Sequence, residues 1–126
     1  ASDVYKRQGI AVVPEEAFRA TNAKTIVLPE GVERIEAGAF ESCKATVITV
    51  PGTVKYIGKR GLYSVLLRDV RFNCLSPVME EQALYNSNRL VVQCYLGTTP
   101  YQYAKANQIK VELKQDLPEV IPGIDD

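Results

Sequence analysis

Phe18, Phe40, Leu62 and Leu84 stand 22 residues apart, and a small residue precedes each: Ala17, Ala39, Gly61 and Ala83. Further columns keep the same register. Ile26, Ile48, Val70 and Val92 form one, and Leu28, Val50, Phe72 and Cys94 form another. Val13, Ile35, Ile57 and Met79 make a third, while Ile10, Val32 and Val54 make a fourth that fails at Ser76. No insertion interrupts them. A fixed period of this length limits a chain to architectures in which one supersecondary unit is stacked on copies of itself.

Each period reads as a coil of strand, turn, short strand and tight turn. "TIVLP" (25–29) and "VITVP" (47–51) alternate in polarity as half-buried strands do, with Ile26 and Leu28, or Ile48 and Val50, on one face. The proline that follows has no N–H to give a ladder and ends the strand. A turn at Glu30-Gly31 or Gly52-Thr53 leads to a second short strand carrying Val32 and Ile35, or Val54 and Ile57. "AGAFESC" (37–43) then offers one helical or 3₁₀ turn, too short to stand as an independent helix. One such coil cannot bury its apolar edge. Stacked coils turn every column into a continuous interior ladder, in which Phe40 packs between Phe18 and Leu62.

The period breaks at "LGTTPYQYAKANQIKVEL" (96–113). Here Thr99 reads as a helix N-cap, Pro100 as the first helical residue and Asn107 as the terminator, with a short strand "IKVEL" beyond. An atypical last unit of this kind covers the open end of a solenoid core. The chain divides into a scar-like or linker segment at 1–8, a solenoid over 9–114 with its cap from about 97, and an extended tail at 115–126 carrying Pro118 and Pro122. "LPEVI" in that tail departs from a wall-sorting LPxTG signal.

"TIVLPEGVERIEAGAFESC" (25–43) resembles the leucine-rich repeat of the BspA-like type, found on the surfaces of bacteria and protozoa. The resemblance rests on Leu28, Pro29, Val32, Ile35, Ala39, Phe40 and Cys43. The next copy keeps Pro51, Val54, Ile57 and Gly58 but has Gly61-Leu62 for Ala-Phe and Val65 for Cys, and the third has Asn73 for Pro and Ser87 for Cys. The expected fold is an α/β, right-handed, strand-dominated solenoid with short helical turns and a C-terminal helix cap. The resemblance also implies a non-catalytic module for protein interaction or adhesion, secreted or displayed at the cell surface, with a protein or glycan partner. A passive spacer carrying another domain of an envelope protein is the alternative.

Composition narrows the chemistry. The 126 residues suit one domain, and 15 basic against 15 acidic residues leave no global basic footprint for nucleic acid. No apolar run is long enough for membrane insertion. The chain has no histidine, the usual general base and commonest metal ligand. Cys43, Cys74 and Cys94 are odd in number and lack CxxC spacing, so neither a complete disulfide framework nor a zinc site is expected. They read as buried core thiols, Cys43 in the column Thr21, Cys43, Val65 and Ser87. No catalytic residues, cofactor or metal follow. Outward positions of the main strand supply the candidate interaction surface: Val27, Thr49, Arg71 and Gln93 in one row, with Thr25 and Asp69 beside them in the row of Val47 and Val91. The same row in a solenoid without a ligand would be a solvated sheet. Tyr5, Tyr56, Tyr63, Tyr85 and Tyr95 suit either a binding surface or a core rim.

Overall fold

The computed structural model describes residues 12–13 and 22–114, and among them the 22-residue period becomes the spacing between stacked coils. Two parallel sheets run along the stack. One takes the short strands β1 (Val12–Val13), β3 (Arg34–Ile35), β5 (Tyr56–Ile57) and β7 (Val78–Met79), in that order. The other takes β2 (Thr25–Val27), β4 (Val47–Val50), β6 (Asp69–Phe72), β8 (Val91–Cys94) and β9 (Lys110–Leu113). Register follows the columns, with Ile26 opposite Ile48, Ile48 opposite Val70, and Ile35 opposite Ile57. The fold is a strand-dominated solenoid of about four coils, closed by α1 (Thr99–Ala106), the one helix among the described residues.

The tight turns form a third line of contact between coils. Phe40 N–H donates to Gly61 O at 3.0 Å and Leu62 N–H to Ala83 O at 2.9 Å. Within a turn the bonds are of 3₁₀ type, from Ala39 N–H to Glu36 O and from Cys43 N–H to Phe40 O, rather than a continuous helix. Position 38 and its equivalents among the described residues adopt positive φ: Gly38 at 68°, Arg60 at 59° and Gln82 at 60°. Glycine takes this left-handed conformation without strain, whereas arginine and glutamine hold it at a cost. The small column has an equally direct cause. A Cβ on Gly61 would lie 3.0 Å from both Gly58 O and Ile57 Cγ2.

The interior is one cluster. Phe40, Phe72, Ile35, Ile48, Ile57 and Leu62 are fully buried in it. Phe40 packs in the column of Leu62 as the period requires, while Phe18, Ala17, Ile10 and Thr21 lie outside the described residues, as do segment 1–8 and the tail 115–126. One column differs from the sequence expectation. Val65 does not follow Cys43 into the core but is 58% exposed. Ser42 is left-handed at φ 66°, and its counterpart Ser64 is not. Ser64 instead turns inward, is buried, and donates its hydroxyl to Cys43 O at 3.1 Å. The third turn is thus displaced by one residue, and Leu67 restores the phase by burying in the position of Ala45.

The closing unit is tied at both ends of its helix. The N-cap is Thr98, not Thr99: its side chain accepts from Tyr101 N–H and its hydroxyl donates to Tyr95 O at 2.8 Å. Thr99 begins the helix and anchors it, donating to Pro77 O at 2.6 Å in the preceding coil. Adjacent threonines are chemically equal as caps, and only this tertiary acceptor separates their roles. At the other end Asn107 is the C-cap, followed by Gln108 at φ 60°. Ile109 N–H reaches Ala104 O at 2.8 Å and Gln108 N–H reaches Lys105 O at 3.3 Å. These two bonds are a Schellman motif, with the buried Ile109 as its hydrophobic contact.

Candidate functional site

The outward face of the larger sheet is built by alternation. Each central strand sends Ile26, Ile48, Val70 or Val92 into the core, so the residues on either side face away. Parallel register sets them in two rows. Val27, Thr49, Arg71 and Gln93 are successive partners in one row, and Thr25, Val47, Asp69 and Val91 in the other. All six candidate residues share this face. The short strand expected at "IKVEL" forms as β9, but the sequence did not place it on this face as a fifth strand. β9 pairs with β8 so that Lys110 lies beside Val91 and Glu112 beside Gln93. That step is 19 residues rather than 22, which hid it from column counting, although Lys110 and Glu112 alternate with Ile109 and Val111 as a half-buried strand requires.

The face is mixed in character. Val27 is 61% exposed at one end, and the charged pair Lys110 and Glu112 closes the other. Gln93 Nε2 donates to Asp69 Oδ1 at 2.6 Å across two coils, which holds both side chains. Arg71, two residues from Asp69 on β6 and directly opposite Gln93, is exposed and has no hydrogen-bond or ion-pair partner among the described residues. Its guanidinium therefore offers planar donors to an incoming carboxylate or aromatic ring at no cost of breaking a contact.

The tyrosines divide by location. Tyr56 lies on the smaller sheet with Arg34 stacked at 4.2 Å from its ring, and Arg34 is paired with Glu36 at 2.8 Å. Desolvation, and then the charge of Glu80, raise the Tyr56 phenol above its ordinary value. Tyr95 belongs to the core, at 4% exposure, and drops out of the surface set. Tyr5 lies outside the described residues. Tyr63 and Tyr85 meet edge to face, centroids 5.2 Å apart and planes at 85°. Arg60 stacks on Tyr63 at 4.8 Å and reaches Glu41 at 3.2 Å. Tyr103 comes from α1, and its Oη accepts from Leu84 N–H at 3.3 Å. Tyr63, Tyr85 and Tyr103 line one cleft of about 410 Å³.

The thiols sit apart from both surfaces. Cys43, Cys74 and Cys94 are free and buried. Burial pushes the Cys74 thiol up to about 12 and raises that of Cys94, the latter opposed in part by a hydrogen bond with Thr98. A thiol so held is protonated and unreactive at neutral pH. Among the described residues no group of three or more histidine, cysteine, aspartate or glutamate side chains gathers as a metal site requires. None of the described helices is long and apolar enough to cross a membrane.

A family profile described as the BspA type leucine rich repeat region (6 copies) matches residues 9–98. That span holds about four of the 22-residue periods seen in the coils. No curated protein and no solved structure matches the chain significantly.

Proposed function

This chain belongs to the BspA-type leucine-rich-repeat family, and on that premise we propose that it is a non-catalytic adhesion module, secreted or displayed on a bacterial surface, which binds a protein partner through the outward face of its larger sheet. Repeats of this family are interaction modules, typically found on bacterial cell surfaces, and their solenoid fold is generally non-catalytic. The observation that carries the proposal is Arg71. It stands exposed, and unpartnered among the described residues, in a two-row array, while its neighbours Asp69 and Gln93 are bonded to each other. Stacked coils repeat such positions at about 4.8 Å, so a partner meets a flat surface roughly 19 Å wide from β2 to β9.

The test uses extracellular matrix proteins immobilised on a biosensor, followed by substitution. Arg71→Glu is expected to weaken any specific binding while shifting stability by no more than about ±0.5 kcal/mol, as an exposed change does. A variant altered together at Arg71, Thr49 and Gln93 that still binds fully would exclude this face. Absence of binding to every protein offered would favour a passive spacer instead.

A further inference from the structure

The cleft at the C-terminal end of the array is separate from the sheet face, and we propose that it is a carbohydrate-binding site for a neutral oligosaccharide. Its volume of about 410 Å³ falls within the roughly 300–1,000 Å³ of small-molecule sites. Tyr63 and Tyr85 come from successive coils and Tyr103 from the capping helix. Tyrosine combines a flat apolar ring with a polar tip, which matches a pyranose that carries a C–H face and a rim of hydroxyls. The rings are fixed before any ligand arrives: the first two brace each other edge to face, and the third is bonded to Leu84 N–H. Such preorganisation reduces the ordering cost of binding.

The polar lining points to hydroxyls rather than to a cation or an anion. Glu81, Gln82, Asn86 and Asn107 contribute one carboxylate and three amides, groups that can engage neighbouring hydroxyls with two polar atoms each. Asn107 spends its Nδ2 on Tyr103 O at 2.9 Å, which leaves Oδ1 as an acceptor. No lysine or arginine is among the described residues that line the cleft, and Arg60, which lies over the Tyr63 ring, is paired with Glu41, so an acidic sugar would meet Glu81 with that neighbouring charge already engaged. Three tyrosines and a carboxylate also suit a quaternary ammonium, but that ligand would leave the amides unused.

The backbone at position 82 gives the test a second readout. Position 82 is left-handed like its equivalents Gly38 and Arg60. Glutamine holds this conformation at a cost that glycine avoids, and Gln82 lines the cleft. Gln82→Gly should therefore make the protein more stable and the site weaker, a pair of effects that a purely structural residue would not show.

Cellotetraose and chitotetraose, each titrated into the full chain and followed by amide chemical shifts, provide the test. The expected result is saturable movement of residues 81–86 and 103–107 by at least one of them, with a Kd on the order of 1 mM. Gln82→Gly is expected to raise the melting temperature and weaken binding roughly three- to tenfold, the value of one hydrogen bond. Asn86→Ala, at an exposed position, should weaken binding with no change in melting temperature. Arg71→Glu should leave sugar affinity unchanged, which separates this site from the sheet face. The proposal is overturned if neither sugar gives saturable shifts, if the shifts fall on the larger sheet, or if choline chloride moves the cleft amides and the sugars do not. It is overturned as well if both cleft variants bind as tightly as the parent.

Discussion

Phe40 and Tyr56 show what a position in the repeat means for a single side chain. Phe40 is fully buried in the central column, and its backbone is bonded to the next coil. Tyr56 faces outward from the smaller sheet and is half-buried under Arg34. Phe40→Ala should cost about 3–5 kcal/mol, the usual range for emptying a packed aromatic site. Tyr56→Ala removes a surface stacking contact and should cost about 1 kcal/mol or less. Equilibrium denaturation of both variants checks this, and equal losses would contradict the register. The thiols give a second residue-scale prediction. Native protein should react slowly with a thiol reagent at pH 8, and all three cysteines should label rapidly after unfolding. Cys74 adds a pH signature. Its folded value of about 12 lies above the ordinary thiol value of 9.0. Stability from this group is therefore complete below pH 9 and declines as pH rises from there toward 12, because the unfolded chain then releases a proton that the folded one keeps.

Elements depend on what their neighbours accept, and this is where sequence and structure part company. Strand columns were legible because burial alternates with a period of two inside a period of 22, so Ile26, Ile48, Val70 and Val92 could be aligned without coordinates. The candidate face was legible for the same reason. Three details were not. Ser64 turns inward because it finds Cys43 O, a carbonyl on another coil, and this expels Val65 from the expected column. Thr98 rather than Thr99 caps the helix because Pro77 O captures the second hydroxyl. The cleft joins Tyr63 and Tyr85 to Tyr103, and no spacing links a helix residue to a column. The helix end offers a direct measurement. Gln108 holds the left-handed position of the Schellman motif, where glycine avoids the Cβ penalty. Gln108→Gly should stabilise the protein by about 1 kcal/mol, seen as a higher denaturation midpoint at unchanged slope. A lower midpoint would mean that the Gln108 side chain has a role beyond the turn.

For the whole molecule the decisive fact is that the stack has an end. Ala104 and Ile109 are buried in the same core as Val92 and Leu90, and β9 covers the edge of β8. Deleting the chain from residue 97 onward would bare that edge and the apolar surface beside it, a template for pairing between molecules. The shortened protein should unfold at lower denaturant and self-associate in light scattering, whereas an equally stable monomer would show that the helix and β9 do not serve as a cap. The ladders also set the pace of folding. Successive coils are joined by contacts between residues 22 apart, from Thr25 with Val47 to Asp69 with Val91. The closure entropy of each new coil is consequently the same, since it depends on loop length and not on how many coils already exist. In a longer array of identical coils the mean separation of contacting residues would stay constant while the chain grew. Its relative contact order would fall with every coil added, and topology alone would not slow the folding of a larger stack.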